Sequence, residues 1–284
     1  MDRRGLMKNA ALWAASLPLA RAASAETAAP APPSTAADRW RGLKIGVASY
    51  TLRKMPLEDA VRAIGRVGLS YVSIKDFHLP MKSTPEERRA AVARFKDAGI
   101  TPLSCGNVSM PNEAAEIRRA FEYARDAGLP TIVCSPHPDS MPILDAMVKE
   151  FDIRLAIHNH GPEDKRFPSP DDVWKAVQGH DARIGLCIDV GHTARAGVDP
   201  AAAIRKYAER LYDVHLKDID STAPTGKTIE GGRGVLDLPS IFRALLAIRY
   251  GHPASVEFEK DESDPLPGLA ETIGYMKGVV SGLA

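Results

Sequence analysis

The residues able to do proton or metal chemistry in this 284-residue chain gather at the carboxyl ends of short apolar runs. His158, Asn159 and His160 close one such run, and Asp189 and His192 close the next. His215, Lys217 and Asp218 close a third, and Glu257 and Glu259 a fourth. Earlier runs end on Lys75, Asp76 and His78, and on Asn107. A mixed imidazole and carboxylate set suits Mn²⁺, Mg²⁺, Fe²⁺, Co²⁺ or Zn²⁺, and imidazole also moves protons near neutral pH. Alternate side chains of an extended segment share a face. His158/His160, His215/Lys217 and Glu257/Glu259 are therefore same-face pairs, one member of each able to reach a common rim. Cys105, Cys134 and Cys187 are too few and too scattered for a disulfide framework or a four-thiolate zinc centre; buried small hydrophobes are expected there.

Something must bring those ends together. β-branched and aliphatic runs at 43–50, 71–77, 100–107, 130–136, 153–160, 183–192, 211–218 and 254–260 alternate with helical patterns. The helical patterns lie near 57–67, 85–98, 113–127, 140–151, 171–178, 199–209, 238–249 and 265–281. Near-continuous apolar strands, each followed by a helix, predict a parallel sheet covered by helices. Eight such units in about 240 residues predict an α/β fold, a single (β/α)8 TIM barrel whose chemistry sits at the carboxyl ends of its strands. No glycine-rich phosphate loop follows the first run, as a dinucleotide-binding sheet would require. Thr84 before Pro85 reads as a helix start, and Gly99 and Gly128 as helix stops. Gly231-Gly232-Arg233-Gly234 reads as a turn before the next helix rather than a phosphate cradle.

The rest of the composition narrows the function classes. Basic and acidic residues number 37 and 36, for a net charge of +1, with 44% hydrophobic and 26% charged residues. That is a soluble globular profile with no net pull toward nucleic acid or an anionic membrane. Aromatic residues at 6% give little support to a stacking surface for single strands. At the N-terminus, Arg3-Arg4, an apolar stretch from Ala10 to Ala20, and Ala23-Ser24-Ala25 predict a twin-arginine signal peptide over residues 1–25. A Pro/Ala-rich linker over 26–39 and the barrel over 40–284 follow. The expectation is a periplasmic protein, or one otherwise exported by the twin-arginine route. No membrane contact is expected after cleavage, since the apolar stretch is too short to span a bilayer.

The segments IGVASYTLR (45–53), IHNHGPED (157–164), IDVGH (188–192), RLYDVHLKD (210–218), GGRGVLDLPSIFRAL (231–245) and VEFEKD (256–261) resemble the xylose-isomerase-like barrel family. That family includes sugar isomerases, ketose 3-epimerases, inosose dehydratases and endonuclease IV. In its ketose epimerases, Glu, Asp, His and Glu at four strand ends bind one divalent cation. Matching by motif places Asp189, His215 and Glu257 on the last three, and His158 where those epimerases have glutamate. The resemblance thus implies one divalent metal ion (Mn favoured over Mg, Co, Fe or Zn) held by His158, Asp189, His215 and Glu257. His158 leaves two negative charges around the cation instead of three, which makes the cation more electrophilic. It also removes one of two facing acid/base carboxylates. Whether His158 or His160 is the ligand stays open, with His158 aligned to the lost glutamate; Glu259 shares the parity of Glu257.

The resemblance further implies abstraction of a proton next to the carbonyl of a keto-sugar. Glu257, His160 and Lys217 would be catalytic, and Lys75, His78, Asn107 and His192 would contact the substrate. Reprotonation gives isomerisation or epimerisation; expulsion of a β-substituent gives a dehydratase, or a lyase acting on a 3-keto-glycoside. A non-catalytic sugar-binding subunit is a further reading. Endonuclease IV-like chemistry would need more metal ligands and a basic surface. The expected partner is a small-molecule sugar or keto-sugar, not nucleic acid, and a homo-oligomer is left open. Lys75 and Lys217 could instead pair with Asp76 and Asp218, and His192 could orient Asp189 or cap a helix. His137, His180 and His252 are expected in solvent.

Overall fold

The computed structural model describes residues 38–283. The expected signal peptide and all but the last two residues of the expected linker lie outside this range. Strands β1 (Lys44–Ala48), β2 (Tyr71–Ile74), β3 (Thr101–Met110), β4 (Thr131–Pro136), β5 (Arg154–His158), β6 (Ile184–Asp189) and β7 (Leu211–Leu216) form where the apolar runs were read. A small antiparallel ribbon follows, β8 (Asp218–Ile219) with β9 (Thr228–Ile229), before β10 (Pro253–Val256) pairs with β7 and β1. The eight long strands are parallel and close in the order β1-β10-β7-β6-β5-β4-β3-β2, a single (β/α)8 barrel.

Helices α1 (Leu57–Arg66), α2 (Pro85–Asp97), α3 (Ala114–Asp126), α4 (Met141–Phe151), α5 (Pro170–Val177), α6 (Val190–Arg195), α7 (Pro200–Lys206), α8 (Leu238–Ala247) and α9 (Leu266–Gly282) surround it. Among the described residues no helix is long and apolar enough to cross a membrane.

Strand alternation separates two environments. Leu155, Ile157, Leu186, Ile188, Val214 and Leu216 belong to the large core shared with the helices. The opposite parity carries Val133, Ala156 and Cys187, a separate small cluster inside the barrel. His158, Asp189 and His215 share that inward parity one pleat higher, so the same alternation that fills the barrel floor aims them at its mouth. All three cysteines are buried and unpaired with one another.

Local signals fix the helix ends. Thr84 Oγ1 accepts a hydrogen bond from the Glu87 N–H at 3.2 Å, while Glu87 Oε2 accepts one from the Thr84 N–H at 2.7 Å. This capping box, with Pro85 in the first turn, satisfies donors that the start of α2 leaves unpaired. Thr84→Ala is expected to destabilise the fold by about 1 kcal/mol. Thermal denaturation should show a midpoint lowered by roughly 2–4 °C. An unchanged midpoint would mean that α2 is held by packing alone.

Candidate active site

Strand register assembles the cluster. His158 lies opposite Cys187 and Asp189 lies opposite His215. Ser255 pairs with His215, so Glu257 emerges one pleat beyond it. Asp189 Oδ2 stands 3.5 Å from His158 Nε2 and 3.9 Å from His215 Nδ1. Glu257 Oε2 lies 3.4 Å from His215 Nδ1. One donor atom from each of His158, Asp189, His215 and Glu257 falls within 4.8 Å of all the others.

The cluster is buried and unsatisfied. Both ring nitrogens of His158, both of His215, and Asp189 Oδ2 are buried without a hydrogen-bond partner. Buried polar groups are ordinarily paired, because leaving one unpaired costs 1–3 kcal/mol or more. Orphaned donors on two imidazoles and one carboxylate, with the Glu257 carboxylate beside them, fit a divalent cation. Burial pushes the His158 imidazole down to about 4, which keeps it neutral near pH 7 with one ring-nitrogen lone pair free to bind a cation.

One oxygen of Asp189 is fixed elsewhere. Asp189 is the N-cap of α6, its Oδ1 accepting from the His192 N–H at 2.8 Å. Asn159 Oδ1 accepts from the Asp189 N–H at 3.1 Å, and Asn159 Nδ2 donates to Thr193 Oγ1 at 3.1 Å. The short helix thus holds Oδ1 and turns Oδ2 toward the cluster. His192 therefore receives the cap rather than providing it.

Lys217 competes for the same oxygens. Its Nζ lies 3.0 Å from Asp189 Oδ2, 2.9 Å from Glu257 Oε2 and 2.5 Å from Glu259 Oε1. Burial alone would deprotonate this amine, but the three carboxylates override it and hold its pKa well above the usual lysine value. The Asp218 alternative for Lys217 is corrected. Asp218 points away, its carboxylate accepting from the N–H groups of Ile219, Gly232, Gly234 and Leu236 at 2.9–3.1 Å. The glycine-rich turn explains itself this way: a Cβ on Gly234 would sit 2.2 Å from Asp218 Oδ1. Its backbone donors form a nest already filled by a carboxylate of the chain itself.

A cavity of about 710 Å³ opens above the cluster and is lined by His158, His160, His192, His215, Lys217 and Glu257. Lys75 and Asn107 form part of its wall. The His160 and His192 rings are 4.7 Å apart, so both members of the His158/His160 pair reach the mouth, as do both of His215/Lys217. Lys75 makes no ion pair among the described residues, against the Asp76 alternative; its Nζ lies 3.4 Å from the Asn107 carbonyl oxygen. Burial lowers its pKa.

His78 is corrected: it does not line the cavity. Its ring is buried with Nδ1 3.0 Å from Ser49 Oγ and Nε2 3.1 Å from the Met55 carbonyl oxygen, leaving no nitrogen for a substrate. His180 is likewise not free in solvent, being 2.8 Å from Asp145 Oδ2, and His252 packs edge-on against Tyr212 and Tyr250.

Sequence reading did not single out Tyr50, Glu163, Arg195, Lys227, Thr228 and Lys260, which also line the cavity. Arg195 carried one signal, its place three residues after His192 on the same short helix. It donates to Glu163 Oε1 at 2.6 Å and to the Pro224 carbonyl at 2.5 Å, tying α6 to the loop between β8 and β9. Beneath the cluster lies a second overlooked group, Asp213. Burial pushes its carboxyl up to about 7, and Ser104 Oγ donates to its Oδ2 at 2.8 Å.

Comparison with known proteins follows the same lines. The sequence profile described as xylose isomerase-like TIM barrel matches residues 40–279. The rhizopine catabolism protein MocC of Rhizobium meliloti is 31% identical over 144 residues, covering 45% of this chain and 42% of that protein. An inosose dehydratase of Clostridium beijerinckii is 26% identical over 153 residues, covering 48% and 49%. The chain thus spans under half the length of these curated relatives. Among solved structures, the 3-keto-D-glucoside 4-epimerase YcjR of E. coli superposes with a TM-score of 0.68 at 16% identity, covering 83% of this chain and 99% of that one. The IOLI protein with a bound zinc atom gives the same TM-score and identity, covering 84% and 98%. At such identities the structural likeness speaks for the fold alone.

Proposed function

We propose, from the premise that this chain belongs to the xylose isomerase-like TIM barrel family, that its rim abstracts a proton from the carbon beside a carbonyl of a keto-sugar. The observation that carries this reading is the convergence of His158, Asp189, His215 and Glu257 donors within 4.8 Å, most of them buried and unpaired, at the floor of a cavity. A divalent cation held by these four would supply Lewis-acid polarisation of the carbonyl oxygen; Mn²⁺ suits the mixed nitrogen and oxygen donors.

The side chains around it supply proton traffic. Lys217 anchors Oε2 of Glu257, leaving the other carboxylate oxygen to take the proton. His160 and His192, side by side at the mouth, stand where a proton can be relayed to or from solvent. Lys75 and the Lys217 ammonium offer donors to substrate oxygens on which negative charge develops.

A second reading, elimination of a β-substituent, has its own support. A symmetrical two-base epimerisation needs a second carboxylate facing Glu257, and that place holds His158. As a cation ligand His158 commits a ring nitrogen to the metal, and burial disfavours its protonated form, so it is not placed to carry the returning proton. One base with a nearby ammonium suits removal of one proton and protonation of a leaving oxygen. The dehydratase among the sequence relatives supports the same outcome.

Incubation of the Mn²⁺-loaded protein in D₂O with free keto-sugars and 3-keto-glycosides separates these outcomes. Deuterium on the carbon beside the carbonyl, with every other bond intact, is the result for isomerisation or epimerisation. Release of water or an aglycone is the result for elimination. Tight binding with neither would overturn catalysis in favour of a sugar-binding subunit.

A further inference from the structure

Arg195 lines the cavity one turn after His192 on α6, with its side chain only 10% accessible. Three acceptors surround the guanidinium. Nη1 donates to the Pro224 carbonyl at 2.5 Å; Nη2 donates to Glu163 Oε1 at 2.6 Å and to the His192 ring at Nδ1.

A glycine closes over this contact. Gly161 has φ of +88°, and a Cβ there would lie 2.9 Å from Arg195 Nη2, 3.0 Å from Glu163 Oε2 and 3.1 Å from His192 Nδ1. The backbone between β5 and α5 therefore seats directly on the Arg195–His192 pair, in a conformation that glycine adopts readily. The same distances show how the ring is turned. Nδ1 faces Arg195, Glu163 and Gly161, away from the cluster, while Nε2 faces inward, 4.0 Å from Asp189 Oδ2.

That orientation decides where the ring carries its proton. A guanidinium has N–H donors and no acceptor, so the His192 nitrogen it touches is the accepting one. A proton on Nδ1 would set two donors head to head, which excludes both the Nδ1–H tautomer and the imidazolium. The ring is neutral, with its proton on Nε2. A protonated Nε2 has no lone pair for a cation, so His192 is not a fifth ligand in spite of its closeness to Asp189. Nor does Asp189 occupy that N–H, since 4.0 Å is beyond hydrogen-bond reach. The donor is left to the cavity that His192 lines.

We propose that Arg195 is a positioning residue that locks His192 as a neutral Nε2–H donor to the substrate oxygen on which negative charge develops. The proton stays on Nε2 throughout, so the donor stabilises charge without being consumed. Unlike the ammonium groups of Lys75 and Lys217, it brings no positive charge against a cation bound at the cluster. The proposal rests on the proton-abstraction reading above and divides the two imidazoles at the mouth. His160, which no guanidinium touches among the described residues, is the one free to exchange a proton with solvent.

Nitrogen NMR of the chain labelled with ¹⁵N-histidine reads the tautomer directly, cation-free and with Mg²⁺, His192 being assigned by its loss in His192→Gln. The wild type at neutral pH is expected to show a pyrrole-type Nε2 and a pyridine-type Nδ1, and Mg²⁺ should not change them. Arg195→Lys, which keeps a group that only donates, should preserve that pattern. Arg195→Met, which keeps bulk without a donor, should collapse it to the averaged signals of two exchanging tautomers. On a keto-sugar that the wild type turns over, R195M should lose about 10²-fold in kcat with KM within about three-fold, and R195K should recover most of the loss. A protonated Nδ1 in the wild type overturns the proposal whether or not R195M folds, and so does an R195M spectrum identical to the wild type. An R195M kcat within about two-fold of the wild type overturns the donor role. If the wild type turns over no keto-sugar, the proton-abstraction reading is lost, while the spectra still decide whether Arg195 sets the tautomer.

Discussion

Replacing Asp189 with asparagine is expected to lower divalent-cation affinity by about 100-fold or more, with turnover falling to background. The reason lies in the division of labour between its two oxygens. Oδ2 is the buried oxygen that makes no hydrogen bond, 3.0 Å from the Lys217 ammonium and within 3.5–4.0 Å of His158, His192 and His215. Oδ1 caps α6 through the His192 N–H. Asparagine keeps an oxygen for the cap, so the helix start should lose only a few tenths of a kcal/mol. It turns an amide donor, with no charge, toward the place where a cation is held. Metal content after dialysis, read by atomic emission, should drop while the circular dichroism spectrum is retained. Full metal occupancy in D189N would remove Asp189 from the ligand set and with it the proposed site.

Much of this geometry was legible before any coordinates, and the reasons are particular. The barrel followed from apolar runs whose two faces are both buried, against helices or against the barrel interior, so nothing in them alternates with polar residues. The helix ends followed from Thr84 and from Gly99 and Gly128, which adopt φ of +72° and +65° where the helices stop. His158, Asp189, His215 and Glu257 were accessible because they are the inward residues at, or one residue past, the ends of strands, where parity decides direction. His78 was misread because it lies past the end of β2, in a turn that rotates its ring back toward Ser49 and Met55. No periodicity reports such a rotation.

The Asp218 alternative for Lys217 is more instructive. Proximity in sequence suggested Asp218, yet neighbours in an extended segment point to opposite faces, and that rule already forbade the pair. Four of the residues that escaped notice, Glu163, Arg195, Lys227 and Thr228, share a cause. Arg195 and Glu163 owe their direction to a contact between α6 and two loops, and strands of two residues such as β8 and β9 carry no pattern to detect.

Lys217→Met is expected to move stability and cation affinity in opposite directions. In the cation-free protein the ammonium compensates Asp189, Glu257 and Glu259 at 2.5–3.0 Å. Methionine fills a similar volume without charge and leaves two buried carboxylates facing each other across His215. Breaking a buried ion pair from one side costs roughly 3–5 kcal/mol. For a domain of this size that corresponds to a fall in melting midpoint on the order of 10 °C. A divalent cation restores the missing positive charge, and it no longer has an ammonium beside it competing for Asp189 Oδ2 and Glu257 Oε2. K217M should therefore bind Mn²⁺ about ten-fold more tightly and recover most of its lost midpoint when loaded. Turnover should still fall by about 10²–10⁴, because the proton donor beside the substrate is gone. Melting curves of both proteins with chelator and with Mn²⁺ give all four corners of this comparison. Weaker Mn²⁺ binding by K217M would show that the ammonium orients the carboxylates for the cation instead of contesting them, since removing a like charge from the ligand shell can weaken binding only by disordering it.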